Sequence, residues 1–123
     1  MKNKTTILTI IALIIIILFI YFNRTPKEYD EFARCLTSKD VKMYGASWCS
    51  HCQNQKNTFG KSWDYINYVE CSLPDGNGQT AECQAAGIKA YPTWEFGDGS
   101  RISGEVKLEQ LSSISRCQIA ENK

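Results

Sequence analysis

The chain has 123 residues, with 14 Lys or Arg against 13 Asp or Glu. Charge this close to balance, with no basic stripe interleaved with aromatics, removes the electrostatic case for a nucleic-acid partner. Six cysteines are many for this length; an even set allows three pairs without a leftover thiol, and such pairs persist in an oxidising compartment.

Residues 1–23 do not read as globular. From Thr5 to Phe22 no charge interrupts 18 residues, which as a helix extend about 27 Å, enough for a thin bilayer. A removable signal peptide has a shorter apolar stretch and small residues at its cleavage site. Here the flank is Phe19-Ile20-Tyr21-Phe22-Asn23-Arg24, so an uncleaved signal anchor is expected, forming a single-pass membrane protein. Lys2, Lys4 and the terminal amine outweigh Arg24 and Lys27, which Glu28, Asp30 and Glu31 follow. That balance favours a cytosolic amino terminus, with the domain on the oxidising side (periplasmic, extracellular, or in a reticulum or thylakoid lumen). A core helix is the alternative, but a run apolar on every side needs more surrounding protein than this chain supplies.

Residues 24–28, with Pro26, read as a linker, 29–120 as one domain and 121–123 as a tail. A domain this small buries only about 60–65% of its unfolded surface, so cross-links would help it. Tyr29, Phe32 and Leu36 recur at helical spacing and predict an amphipathic helix over 28–37. Val41 to Gly45 predicts a short buried strand, turned by Gly45-Ala46-Ser47. A helix is expected from Cys49 to about Ser62, with Phe59 and Trp63 on one face, and a strand from Tyr65 to Cys71. Residues 74–78 (Pro-Asp-Gly-Asn-Gly) form a loop. Thr80 to Ala86 predicts a short helix ended by Gly87. Pro92–Phe96 and Arg101–Ser103 flank a Gly-Asp-Gly-Ser turn as a hairpin, and Leu108, Leu111 and Ile114 mark a last helix. The sum is an α/β fold, a four-stranded mixed sheet flanked by helices, preceded by one transmembrane helix.

Cys49-Ser50-His51-Cys52 follows a strand and opens a helix. Two cysteines three apart on a first helical turn can close a small disulfide ring. The first sulfur then lies near unpaired N–H groups and the positive helix end, which stabilise a thiolate. Cys49 is therefore the expected nucleophile and Cys52 the resolving thiol, with the disulfide itself as the redox group and no added cofactor. His51, the one histidine of the chain, would as imidazolium stabilise that thiolate further; otherwise it is a solvated helix residue. Two other readings of the pair stand beside this one: a structural disulfide, and a zinc site completed by Cys71 and Cys83. Haem attachment needs histidine directly after the second cysteine, where Gln53 stands. In Ala90-Tyr91-Pro92-Thr93-Trp94 the proline enters a strand. Such a proline is ordinarily trans, but some forty residues after a strand–Cys-x-x-Cys–helix unit it is expected cis.

With these residues in view, the chain resembles the thioredoxin superfamily, and most closely the thioredoxin-like domains fused to, or acting beside, vitamin K epoxide reductase homologues. The stretches carrying the likeness are Met43 to Cys52, Tyr68 to Cys71, Ala86-Gly87-Ile88, Tyr91 to Trp94 and Ser103-Gly104-Glu105. The resemblance implies that Pro92 is cis and faces Cys49, and that Trp48, Tyr91 and Pro92 meet the substrate, the Tyr91 backbone holding a substrate strand. It also implies cysteine-containing proteins as substrates and a membrane redox partner of the vitamin K epoxide reductase type. One departure stands out. The wider superfamily carries a buried carboxylate six residues before the first active cysteine, where this chain has Met43. Proton transfer at Cys52 must then use water or another group, which suits an oxidant better than a thioredoxin-like reductase.

The related domains commonly pair the cysteines corresponding to Cys71 and Cys83. Here that bond would close a loop of 13 residues, worth about 3 kcal/mol in the chain-entropy model, as a structural link or an electron relay. By elimination Cys35 and Cys117 would bridge the first and last helices of the domain, or remain as two buried thiols. The expected function is a membrane-anchored thiol–disulfide oxidoreductase acting on exported or lumenal proteins in the oxidising or isomerising direction. The alternatives are an anchored reductase and a redox-inert client-binding module.

Overall fold

The computed structural model describes residues 2–24 and 28–120. Most of the expected linker, 25–27, and the expected tail, 121–123, lie outside the described residues. Helix α1 (Lys2–Arg24) is a continuous apolar helix. Its stretch Asn3–Phe22 has mean hydropathy 2.9 and none of it is buried. Twenty residues of helix span about 30 Å, the thickness of a bilayer's hydrocarbon core. The segment is thus compatible with a single membrane crossing.

The remaining elements are α2 (Asp30–Ser38), β1 (Lys42–Gly45), α3 (Ser50–Phe59), β2 (Asn67–Glu70), α4 (Ala81–Ala85), β3 (Thr93–Glu95), β4 (Arg101–Ser103) and α5 (Leu108–Ser115). The sheet order is β2-β1-β3-β4. Strand β1 runs parallel to β2, pairing Met43 with Tyr68, and antiparallel to β3, pairing Met43 with Trp94. Strands β3 and β4 form the hairpin. The α/β fold with a four-stranded mixed sheet is as the sequence predicts.

Two boundaries differ. The helix opened by Cys49 stops at Phe59, because Gly60 takes φ 56° and ψ −133°, a conformation that side chains forbid. A 3-10 segment, Gly60–Tyr65, follows. It uses up the residues expected to begin the second strand, and β2 starts at Asn67. The short segment is anchored through Ser62, whose hydroxyl donates to Asp30 Oδ1 at 2.8 Å and accepts the Tyr29 N–H at 3.1 Å.

The core lies between the sheet and its helices. Trp94, Phe32, Phe59, Leu36, Met43 and Leu111 are fully buried. Phe59 is its hub: its ring stacks on Phe32 at 6.0 Å and meets Trp63 at 5.9 Å and Trp94 at 6.1 Å. Within this core Gln55 of α3 is buried and fully used. Its side-chain amide donates to the Val106 carbonyl at 3.0 Å and accepts the Val106 N–H at 2.7 Å and the Trp94 indole N–H at 3.3 Å. Three bonds offset the desolvation of the amide and fix the strand-to-helix loop before α5 against α3.

Cys35 and Cys117 are joined by a disulfide across a sequence separation of 82, tying α2 to the end of α5. Cys71 and Cys83 form a second one, across a separation of 12, between the end of β2 and α4. The long loop makes the first bond the larger constraint on the unfolded chain. Replacing both Cys35 and Cys117 by serine is expected to lower unfolding stability by roughly 2–5 kcal/mol, read from urea denaturation of the full chain in detergent. An unchanged midpoint would mean that the bond contributes nothing.

Candidate active site

Strand β1 ends at Gly45, and the chain needs only 46–49 to reach α3. Cys49 is the residue that caps this helix, with extended backbone at φ −79° and ψ 115°. Its sulfur accepts the Cys52 N–H at 3.3 Å. This is the place where a serine or aspartate oxygen usually satisfies a free helical donor. The Cys49 thiol also faces the Tyr91 carbonyl, 3.7 Å away. Cys49 and Cys52 are both free thiols and both buried. Burial first, and then the bond to Cys49, push the Cys52 thiol up to about 12.

The loop before α3 is held by Glu70 at the end of β2. Its Oε1 accepts the Ser47 N–H at 3.0 Å and the Ser72 N–H at 2.9 Å, and also a short bond from the Ser72 hydroxyl. Its Oε2 accepts the Tyr68 hydroxyl at 2.8 Å. Burial alone would raise the Glu70 carboxyl, but the bonds from Ser72, Tyr68 and Ser47 outweigh it and hold the group below the ordinary carboxylate range. Gly45 must be glycine for contact reasons. A Cβ there would lie 2.8 Å from the Tyr68 ring and 3.0 Å from the Cys52 sulfur.

The Tyr91–Pro92 peptide bond is cis, and Tyr91 and Pro92 lie beside Cys49. The Tyr91 hydroxyl accepts from Gln79 Nε2 at 2.6 Å, and the Pro92 carbonyl accepts the Gly104 N–H at 2.8 Å. Trp48 is 62% exposed and meets the Tyr91 ring edge-on at 5.9 Å. The structure therefore brings Trp48, Cys49, Cys52, Tyr91 and Pro92 together. His51 is turned elsewhere. Its Nδ1 pairs with Glu105 Oε1 at 2.6 Å, and Asn54 Nδ2 donates to the same oxygen at 3.1 Å. These two bonds, His51 first, hold the exposed Glu105 carboxyl below its ordinary range. An imidazolium so placed is balanced by a carboxylate and brings Cys49 no net positive charge. Cys71 and Cys83 are bonded to each other, so neither is a ligand for zinc at Cys49 and Cys52. Glu70 and Glu105 stood only within the stretches that carry the resemblance, without a role of their own, and Gln55 was not singled out in the sequence.

The depressed Glu70 carboxyl sets a pH signature. A group whose folded pKa lies below its unfolded value stabilises the fold above the unfolded pKa and loses that effect as pH falls through the folded one. Glu70→Gln is therefore expected to be less stable than the parent at pH 7, with the difference closing below about pH 4. Thermal melts at both pH values measure this, and a constant difference would refute it.

No family model matches the chain. It is 42% identical over 88 residues to thiol-disulfide oxidoreductase LTO1 of Arabidopsis thaliana, a stretch that is 68% of this chain and 23% of that protein. It is 31% identical over 99 residues to DnaJ homolog subfamily C member 10 of Homo sapiens, covering 78% of this chain and 12% of that one. The chain thus spans less than a quarter of either relative's length. Likeness to a thiol-disulfide oxidoreductase, together with a four-stranded mixed sheet whose central helix opens on two cysteines, supports a place for this chain in the thioredoxin-like superfamily.

Proposed function

We propose that this chain is a membrane-anchored thiol–disulfide oxidoreductase, with Cys49 as nucleophile and Cys52 as resolving thiol. The observation that carries the reading is the Cys49 sulfur at the N-cap of α3, accepting the Cys52 N–H and lying beside the Tyr91 carbonyl. A thiolate there gains from the helix's free donors and positive end. The likeness to a thiol-disulfide oxidoreductase supports a redox function independently.

In the oxidised enzyme a substrate thiolate attacks the Cys49 sulfur. The Cys49–Cys52 bond breaks, Cys52 leaves as thiolate and takes a proton, and a mixed disulfide forms. A second substrate thiolate then attacks its partner sulfur and releases Cys49. Two electrons pass from the substrate dithiol to the cysteine pair. A separate membrane oxidoreductase of the vitamin K epoxide reductase type would withdraw them again. The substrates are cysteine-containing proteins on the oxidising side of the membrane, with α1 (Lys2–Arg24) holding the domain close to its surface. The exposed Trp48 and the half-buried Tyr91 offer the substrate an apolar rim with backbone beside it, while the Pro92 ring is fully buried beneath them. No cofactor beyond the cysteine pair is needed for this exchange. The oxidising direction rests on the place of the Cys49 sulfur at the start of α3 and on Met43, since the His51–Glu105 pair adds no positive charge.

Two measurements on the full chain in detergent test this. The Cys49–Cys52 pair is expected to titrate in glutathione buffers at about −180 to −120 mV. A value near −270 mV, about that of thioredoxin, would mean a reductase. Cys49→Ser is expected to abolish disulfide exchange, and Cys52→Ser to trap mixed disulfides with substrate. Exchange that survives Cys49→Ser would sink the reading.

A further inference from the structure

A buried thiol that resolves a mixed disulfide must lose a proton first, and must regain one each time it leaves as thiolate. On β1, Met43 is buried and carries no transferable proton. Its partner across the parallel pairing is Tyr68. The Tyr68 oxygen lies 3.1 Å, and the Cys52 sulfur 3.0 Å, from the point where a side chain on Gly45 would begin. The thiol sulfur and the phenol oxygen thus both border the space that the glycine leaves open. The phenol donates onward to Glu70 Oε2 at 2.8 Å, and Glu70 is exposed to solvent.

We propose that Tyr68 and Glu70 form the proton relay of Cys52, linking the buried thiol to solvent. The proposal rests on the reading of Cys49 and Cys52 as the redox pair. For resolution, the Cys52 proton passes to the Tyr68 oxygen across one water in the space beside Gly45. The phenol's own proton moves to the Glu70 carboxylate, which releases it to solvent. The Cys52 thiolate then attacks the Cys49 sulfur, the Cys49–Cys52 bond forms, and the substrate thiolate leaves. The reverse sequence reprotonates Cys52 when the pair oxidises a substrate.

The surroundings suit a neutral relay. Burial first, then the bond to Glu70, hold the Tyr68 hydroxyl above its ordinary range, so it passes protons without ionising. Glu70 is held in the opposite direction and stays ready to accept. Lys56, on the same helix as Cys52, places its ammonium 4.1 Å over the Tyr68 ring. The charged and titratable groups acting on Cys52 are then Cys49 and Lys56 from α3 and Tyr68 from β2, with Glu70 behind Tyr68. Tyr68 acts as a relay and does not touch substrate.

The test uses the reduced full chain in detergent and dithiobis(nitrobenzoate). Attack by Cys49 releases one thionitrobenzoate, and attack by Cys52 on the mixed disulfide releases the second, in a separate kinetic phase. Tyr68→Phe keeps the ring and its contact with Lys56 but removes the hydroxyl. It is expected to slow the second phase roughly tenfold to a hundredfold at pH 7, narrowing as hydroxide takes over at higher pH. Glu70→Gln is expected to slow the same phase with the same pH trend. A second phase unchanged in Tyr68→Phe, or slowed equally at every pH, overturns the relay while leaving the redox pair in place. A parent protein that releases only one equivalent overturns the redox pair itself, and the relay with it.

Discussion

The sulfur of Cys49 takes the acceptor's place at the start of α3, holding the Cys52 N–H at 3.3 Å, and the neighbouring geometry follows from that contact. A helix start leaves donors without partners, and a sulfur is a poorer acceptor than the oxygen usually found there. The compensation comes when the sulfur is ionised, because the donors and the helix dipole then act on a full charge. A sulfur cap of this kind is weak as a thiol and stronger as a thiolate. It also forces the first turn of α3 onto the end of β1, where only a glycine leaves room for the Cys52 sulfur and the Tyr68 ring.

Holding that turn in place needs support from far along the chain. Gln55 binds Val106 through both of its backbone groups, which brings Glu105 within reach of His51 and Asn54. Glu70 binds Ser47 and Ser72 and so fixes the short loop that leads into the helix. The two disulfides act at a distance: one closes the domain's ends and the other fastens α4 to the strand that carries Glu70.

The fold was legible in the sequence because its signals are local. Alternating and helical periodicities gave the elements, and the largest shift of a boundary came from the stop at Gly60, since a glycine in a helical pattern does not announce its φ. The cysteine pair and the Tyr91–Pro92 step were legible for the same reason: each is a short motif in a fixed context. The partners of those motifs were not. His51 reads in sequence as a charge beside Cys49, yet its ring is taken by Glu105, 54 residues away. Gln55 reads as an ordinary polar helix residue, though it is among the most buried side chains of the core. Side-chain pairs that form across the sheet leave no periodic trace in either strand.

The His51–Glu105 pair changes the argument about direction. A lone imidazolium between the cysteines would favour the thiolate and raise the pair's tendency to oxidise. Paired with a carboxylate at 2.6 Å, it contributes position more than charge. It ties the exposed side of the first turn to the segment that follows β4, close to the Pro92 carbonyl held by Gly104. What remains to favour the Cys49 thiolate is the backbone: the donors of α3 and the helix's positive end. Those act on Cys49 alone, while Cys52, buried behind it, is held as a thiol. Cys52 is the more deeply buried of the two sulfurs, and burial is the first cause that holds it as a thiol, while Cys49 keeps the place at the helix start that the proposed nucleophile needs.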